Sequence, residues 1–201
     1  MGLRPGHAGR PRAPGLPGAG GLCGAPAGGH RGRGGPGLTV IAVIADTHLP
    51  RGARRLPESC LRRLGGADLI LHAGDVMTDA ALQSLEAYGP PVLAVRGNVD
   101  DAALCARLPA QRLVEVDGAR IAMVHDAGPA RGRLARLHAR FPGAHAAVFG
   151  HSHLPLHEQA DDGFQIFNPG SPTQRRRAPA HTMGLASVED GLPTFALVEL
   201  A

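Results

Sequence analysis

The chain has 201 residues, 43% of them hydrophobic, which suits one domain with an ordinary buried core. Its three cysteines form no CxxC pair and fit no disulfide framework, so we expect a reducing compartment, the cytoplasm. No apolar run approaches the roughly 20 residues of a membrane helix, which excludes a bilayer-spanning protein.

Residues 1–38 differ from the rest of the chain in composition. They contain 14 Gly, 6 Pro and 5 Arg and no acidic residue, so the formal charge of +4 comes from this segment. The basic balance therefore does not indicate that the folded part binds nucleic acid or a membrane surface. The Arg/Gly stretch at 30–35 has no interleaved aromatic residue, which also argues against nucleic-acid binding.

We predict a disordered tail over residues 1–38 and a folded domain over residues 39–201. A second hypothesis is that translation starts near Val40 and that the native protein lacks this segment. Intact residues 1–38 in a mass spectrum of the native protein would contradict the second hypothesis.

From Thr39 onward the chain alternates strand-like apolar runs with amphipathic stretches. The pattern predicts strands at 39–45, 69–72 and 91–95 and helices at 58–64 and 79–87. Strands that alternate with helices imply right-handed crossovers and a mainly parallel sheet.

The pattern changes after residue 110, where Asp-Gly pairs at 117–118, 162–163 and 190–191 predict hairpin turns. We expect this half to be strand-rich and largely antiparallel, with one helix over 131–140. The chain as a whole predicts an α/β fold in which two sheets pack face to face with helices outside.

Polar side chains follow five of the predicted strands directly. Because ligands bind beyond the carboxyl ends of parallel strands, we expect these side chains to converge. Their oxygen and imidazole donors, without thiolate, suit Mn, Fe, Zn, Ni or Co. Each motif alone is also typical of an ordinary polar loop, but their joint occurrence favours a metal site. The seven candidate ligands are Asp46, His48, Asp75, Asn98, His125, His151 and His153.

These motifs together resemble the calcineurin-like metallophosphoesterase superfamily. The residues that carry the resemblance are Asp46-x-His48, Gly74-Asp75, Gly97-Asn98, His125 and Gly150-His151-x-His153. The later Asn168-Pro169-Gly170-Ser171 is similar to the short bacterial and archaeal phosphodiesterase branch, which includes the retromer subunit of the same fold.

The resemblance implies a four-layer α/β/β/α sandwich with two divalent metal ions, Mn foremost. It assigns Asp46, His48 and His153 to the first ion and Asn98, His125 and His151 to the second, with Asp75 bridging them. Two such ions about 3.5–4 Å apart would hold a bridging hydroxide that attacks a phosphoryl group.

The function that this implies is a metal-dependent phosphodiesterase acting on a small phosphoester. Homo-oligomers are common in this branch. The alternative is a non-catalytic protein-interaction module on the same fold, as in the retromer subunit.

The Gly97-Asn98 motif departs from many relatives, which carry His directly after the Asn of this motif. Here the residue is Val99, so no imidazole protonates the leaving oxygen, and diesters or activated aryl esters are favoured over alkyl monoesters. Asp100 is the candidate for the acid, for a residue that orients His125 or His151, or for an acceptor beside the metal. Asp126 replaces the usual Gly after His125.

Two further segments have two interpretations each. Residues 168–171 are interpreted as a tight turn that lets the backbone pass close to the site. The arginine run at 175–177 is either a solvated loop or a clamp for the phosphate of a larger substrate. Arg175, together with Asn98, is the candidate substrate contact.

Overall fold

A computed structural model of the protein describes residues 38–51 and 54–201. The predicted disordered tail, apart from Leu38, lies outside the described residues. The strands are β1 (Thr39–Ile44), β2 (Leu69–His72), β3 (Val92–Ala94), β4 (Gln111–Val116), β5 (Ala119–Val124), β6 (Ala146–Val148), β7 (Leu156–Gln159), β8 (Gln165–Asn168), β9 (His181–Glu189) and β10 (Leu192–Leu200). The helices are α1 (Glu58–Gly65), α2 (Asp79–Glu86), α3 (Ala102–Arg107) and α4 (Arg133–Arg140).

The first sheet has the strand order β10-β9-β1-β2-β3. The three strands β1, β2 and β3 are parallel, as the alternation with helices predicts. β9 then pairs antiparallel with β1, and β10 pairs antiparallel with β9. β1 is apolar from Val40 onward because Ile41 and Val43 face the second sheet while Ala42 and Ile44 face the helices.

The second sheet has the order β4-β5-β6-β8-β7. The pairs β4·β5 and β7·β8 are antiparallel, but β5·β6 and β6·β8 are parallel. The prediction of a largely antiparallel second half is wrong for this centre of the sheet. The chain passes through α4 between β5 and β6 and through β7 between β6 and β8, so both connections are crossovers rather than hairpins.

Four layers result, and the α/β/β/α architecture is confirmed. The inner faces of the two sheets share one core, in which Phe167 of the second sheet packs among Ile41, Val43 and Leu71 of the first. α1 and α2 cover the outer face of the first sheet, and Leu137 of α4 packs against the outer face of the second. Within the described ranges, none of the helices is long and apolar enough to cross a membrane.

Local signals for turns and helix starts are largely followed. Two of the predicted Asp-Gly turns have positive φ at both residues, namely 117–118 and 190–191, as a tight hairpin requires. The Asp101 carboxylate accepts from Leu104 N at 2.9 Å and caps α3. The cap of α2 is Thr78, whose hydroxyl accepts from Ala81 N.

Candidate metal centre

The candidate ligands meet at the carboxyl ends of strands from both sheets, with unusual backbone geometry. Nine non-glycine residues in the described part of the chain have positive φ, and five of them are predicted ligands. Left-handed backbone is unfavourable for residues with a Cβ and clusters at functional sites. Those five ligands are Asp46, His48, Asp75, His151 and His153.

Asp46, His48 and His153 form a buried first group. The Nε2 atoms of His48 and His153 are 3.1 Å apart. The His153 Nε2 atom also lies 3.3 Å from Asp46 Oδ1. All three side chains are at most 2% exposed, and one ligand atom from each falls within a sphere small enough for a single ion.

Asn98, His125 and His151 form a second group that opens toward solvent. The Asn98 Oδ1 atom lies 3.0 Å from His125 Nε2 and 2.9 Å from His151 Nδ1. His125 is buried, whereas Asn98 and His151 are exposed. The second group therefore forms the accessible side of the site.

Asp75 connects the two groups through its two carboxylate oxygens. Its Oδ2 atom lies 3.6 Å from His48 Nε2, and its Oδ1 atom lies 3.3 Å from His125 Nε2. The side chain is 2% exposed. The structure thus brings together all seven predicted ligands, while the partition between two ions that the resemblance implies stays a prediction. Ligand atoms of Asp46, Asp75 and His125 also lie close enough together to hold an ion.

The hydrogen bonds around the imidazoles fit a cation. A carbonyl oxygen only accepts, so His125 Nδ1 donates to Ala73 O at 2.8 Å and His153 Nδ1 donates to Gln174 O at 2.5 Å. In the neutral form of each ring, the lone pair therefore lies on Nε2. The Nε2 atoms of His125 and His153 both face oxygen or nitrogen acceptors. The buried Asp46 Oδ2 atom, moreover, has no hydrogen-bond partner among the described residues. Lone pairs that converge in this way suit a divalent metal ion.

The charges of the site depend on competition between burial and neighbours. For Asp75, burial alone would raise the pKa, but the hydrogen bond and charge of His125 bring it down to about 2. Burial lowers the pKa of His48 despite the nearby Asp75 carboxylate. Burial would also lower the pKa of His125, but the hydrogen bond from its ring to Asp75 and the charge of Asp46 raise it. Asp75 is therefore ionised and His48 neutral at neutral pH, as metal ligands must be.

Each motif glycine packs against a ligand from a different motif. A Cβ at Gly74 would lie 2.7 Å from His125 Nδ1, and one at Gly150 would lie 2.8 Å from Asp46 Oδ2. Only glycine permits this close approach, so the glycines are required by packing.

A loop over residues 168–176, which we call the strap, ties the ligand-bearing loops together. The Ser171 hydroxyl donates to Asp46 O at 2.8 Å, and the Thr173 hydroxyl donates to Thr47 O at 2.7 Å. The Asn168 amide donates to Gly150 O at 2.9 Å. The sequence interpretation of residues 168–171 as a close-approach turn did not include these contacts, which depend on separations of more than 100 residues for Ser171 and Thr173.

Asp100 braces two loops of the centre. Its Oδ1 atom accepts from Met77 N at 2.7 Å, and its Oδ2 atom accepts from Gly97 N at 2.6 Å. Both oxygens are thus bonded to backbone amides rather than to His125 or His151. Its proposed part in proton transfer stays a prediction.

The arginines of the run at 175–177 make different contacts, and the candidate role of Arg175 as a substrate contact stays a prediction. Arg175 NH1 donates to Ala178 O within its own loop, at 2.9 Å. Its neighbour Arg176 instead contacts the ligand-bearing loop, because its NH1 donates to His151 O at 3.2 Å. The positive charge of Arg176 is close enough to contribute to the lowered pKa of His48, although burial is the largest cause.

The two groups of candidate metal ligands are typical of metallophosphoesterases, and a sequence comparison supports this class. A profile described as the calcineurin-like phosphoesterase superfamily domain matches residues 40–191. The chain therefore belongs to the calcineurin-like phosphoesterase superfamily, a family of hydrolases.

Two archaeal relatives carry the name probable metallophosphoesterase. The protein of Methanocaldococcus jannaschii is 36% identical over 159 residues, which cover 78% of this chain and 79% of the relative. The protein of Methanothermobacter thermautotrophicus is 34% identical over 148 residues, covering 73% of this chain and 84% of the relative.

Solved structures share the fold. Thermotoga maritima protein TM1076 is 26% identical and superposes with a TM-score of 0.64, covering 81% of this chain and 99% of its own. Vacuolar Protein Sorting 29 of Cryptosporidium parvum superposes with a TM-score of 0.65 at 19% identity, covering 82% and 98% of the two chains. At that identity, the likeness to Vacuolar Protein Sorting 29 concerns the fold alone.

Proposed function

We propose that this protein is a metal-dependent phosphodiesterase with a binuclear centre held by Asp46, His48, Asp75, Asn98, His125, His151 and His153. The observation that carries the proposal is the position of the Asp75 carboxylate between the two groups. Its Oδ2 atom lies 3.6 Å from His48 Nε2, and its Oδ1 atom lies 3.3 Å from His125 Nε2. A carboxylate in this position suits a bridge between two ions. Mn is the metal that we propose, with Fe, Zn, Ni and Co as substitutes of similar ligand preference.

When bound, two divalent ions supply a hydroxide nucleophile at neutral pH and neutralise charge on the phosphoryl oxygens. The chain's own residues hold the Asp46 carboxylate in place and leave one side of the site accessible. Asp46 is buried and receives the His151 backbone N–H at 3.1 Å, so its carboxylate is held in place. The exposed pair Asn98 and His151 leaves the second group open to an incoming phosphoester.

Val99 favours diesters with a good leaving group. Its backbone N–H donates to Asp75 Oδ1 at 3.1 Å, while its isopropyl side chain is 37% exposed. The side chain at this position thus offers no proton to a departing oxygen. An activated aryl alkoxide departs without a proton more readily than a simple alkoxide does.

The experiment compares bis-p-nitrophenyl phosphate with p-nitrophenyl phosphate, using chelated protein reloaded with Mn. Asp75→Asn and Asp75→Ala are assayed beside the wild type, together with Arg177→Ala as a surface control. Diester cleavage that Mn restores and that both Asp75 variants lose supports the proposal. Absence of turnover of either ester, with metal demonstrably bound, would contradict it for these substrates.

Fewer observations support the alternative function, a non-catalytic protein-interaction module. The fold likeness to Vacuolar Protein Sorting 29 is shared by phosphoesterases, and the seven ligand positions here retain metal-binding residue types. A stoichiometric protein partner, recovered without hydrolytic activity, would favour this alternative. Cytoplasmic residence, a small phosphoester substrate and homo-oligomerisation likewise stay predictions.

A further inference from the structure

Backbone geometry separates Arg176 from the other arginines of its run. Of the nine non-glycine residues with positive φ in the described ranges, Asp117 and Asp190 form hairpin turns and five are candidate ligands. The remaining two are Met77 and Arg176, with φ of 96° and 49°. Unfavourable backbone persists where the surrounding structure holds it, typically around functional sites.

The side chain of Arg176 is anchored at one nitrogen. Its NH1 donates to the backbone oxygen of His151, a candidate ligand on the solvent-facing side of the site. A guanidinium has five N–H donors, so this bond leaves others for a further acceptor.

Among the described residues, the charge of Arg176 has no acidic counterpart. Within the part of the chain that the structure describes, no carboxylate forms an ion pair with it, in contrast to Arg107, which pairs with Asp79 and Glu86. Two divalent ions would bring four positive charges, of which Asp46 and Asp75 offset two. A guanidinium beside such a site strengthens the attraction for an anion.

We propose that Arg176 binds a non-bridging oxygen of the phosphoryl group at this centre and thereby serves as a substrate-binding residue. The inference deepens the proposed function and rests on it. Arg175, the sequence candidate, donates to Ala178 O within its own loop, whereas Arg176 donates to the loop that carries a candidate ligand. Planar guanidinium groups suit phosphoryl oxygens, for which Lys is a poorer geometric match.

The test compares Arg176→Ala and Arg176→Lys with Arg177→Ala, which removes the same charge from the next exposed position of the loop. Metal content of each Mn-reloaded protein is measured first. Binding of inorganic phosphate is then measured by calorimetry, which requires no turnover. The kcat and KM for bis-p-nitrophenyl phosphate follow.

We expect Arg176→Ala to keep its metal, to weaken phosphate binding roughly 10- to 100-fold and to raise KM. Arg176→Lys should recover part of the affinity, and Arg177→Ala should match the wild type. Equal phosphate affinity in Arg176→Ala and the wild type would overturn the inference, as would wild-type protein that binds no phosphate. Loss of metal in Arg176→Ala would assign the residue to positioning His151 instead. Phosphate binding that depends on Arg176 without ester turnover would contradict the phosphodiesterase and leave the binding role standing.

Discussion

Gly97 lies so close to Asp75 that a Cβ added at Gly97 would be 2.0 Å from Asp75 Oδ1 and 2.2 Å from Asp75 N. The glycine thus packs directly against the carboxylate that joins the two ligand groups. Rotation of the Asp75 side chain could relieve the first contact but not the second, because Asp75 N belongs to the backbone. The Gly97-Asn98 motif therefore leaves room for the Asp75 carboxylate and also presents Asn98 to the site.

We expect Gly97→Ala to displace Asp75 and to abolish metal binding by the carboxylate that joins the two ligand groups. Overpacking of this kind costs about 1–3 kcal/mol of unfolding free energy. Metal content and urea denaturation check both effects. Gly65→Ala is the control, because a Cβ there has no heavy atom within 4 Å. A Gly97→Ala protein with the wild-type metal content would contradict the packing argument.

Much of the centre could be predicted from the sequence because each ligand motif comes within a few residues of the end of an apolar strand. β1 and β2 are buried on both faces, so their ends are marked by an abrupt change to polar residues. Parallel strands bring such ends to one edge, and the seven ligands do converge. No comparable local signal in the sequence predicts that β5, β6 and β8 pair in parallel.

The supporting contacts could not be predicted for a different reason. Of the three consecutive arginines, Arg176 has a positive φ and donates to His151 O, and composition encodes neither feature. The bonds of Asp100 to Met77 N and Gly97 N depend on how two loops pack together. These features become visible only when the backbone of distant segments is placed.

Ser171 should affect metal affinity although its side chain touches no candidate ligand side chain. The hydroxyl is 1% exposed and donates to Asp46 O, and it accepts from Gln174 N at 2.9 Å. Gln174 O in turn accepts from His153 Nδ1. We expect Ser171→Ala to lower Mn affinity roughly 10- to 100-fold, as loss of such supporting bonds does elsewhere.

The same Ser171→Ala variant should lose about 1–3 kcal/mol of unfolding free energy, because a buried acceptor and donor lose their partner. Ser84→Ala is a matched control, since the Ser84 hydroxyl donates to Ala80 O at 2.8 Å on the exposed side of α2. Calorimetric titration with Mn and urea denaturation measure the two quantities. Equal Mn affinity in Ser171→Ala and Ser84→Ala would show that the strap does not support the centre.

Metal affinity should fall as pH falls. A divalent ion at His125 must displace any proton on Nε2, and the neighbouring Asp75 helps to raise the pKa of this ring. Competition by protons therefore begins above the usual histidine value of about 6.5. Titration with Mn between about pH 8 and about pH 6 should give weaker binding and proton release at the lower values. An affinity that is constant over this range would be inconsistent with a ligand role for His125.

His72 should make the chelated protein less stable in acid. It is fully buried beside Thr47 Oγ1 at 3.0 Å, and burial lowers the pKa of its ring to about 3. The folded state thus keeps His72 neutral, whereas the unfolded chain takes up a proton below about pH 6.5. Stability is unaffected by this group above that pH and decreases as the pH falls from 6.5 toward 3.

The expected contribution of His72 is about 1.4 kcal/mol of unfolding free energy for each pH unit in that window. Urea denaturation of chelated protein at several pH values measures the slope. His72→Gln has no proton to take up, so its slope should be smaller by this amount even if the variant is less stable throughout. Parallel curves for His72→Gln and the wild type would mean that the imidazole already binds a proton in the folded protein, and that its burial does not exclude the charge.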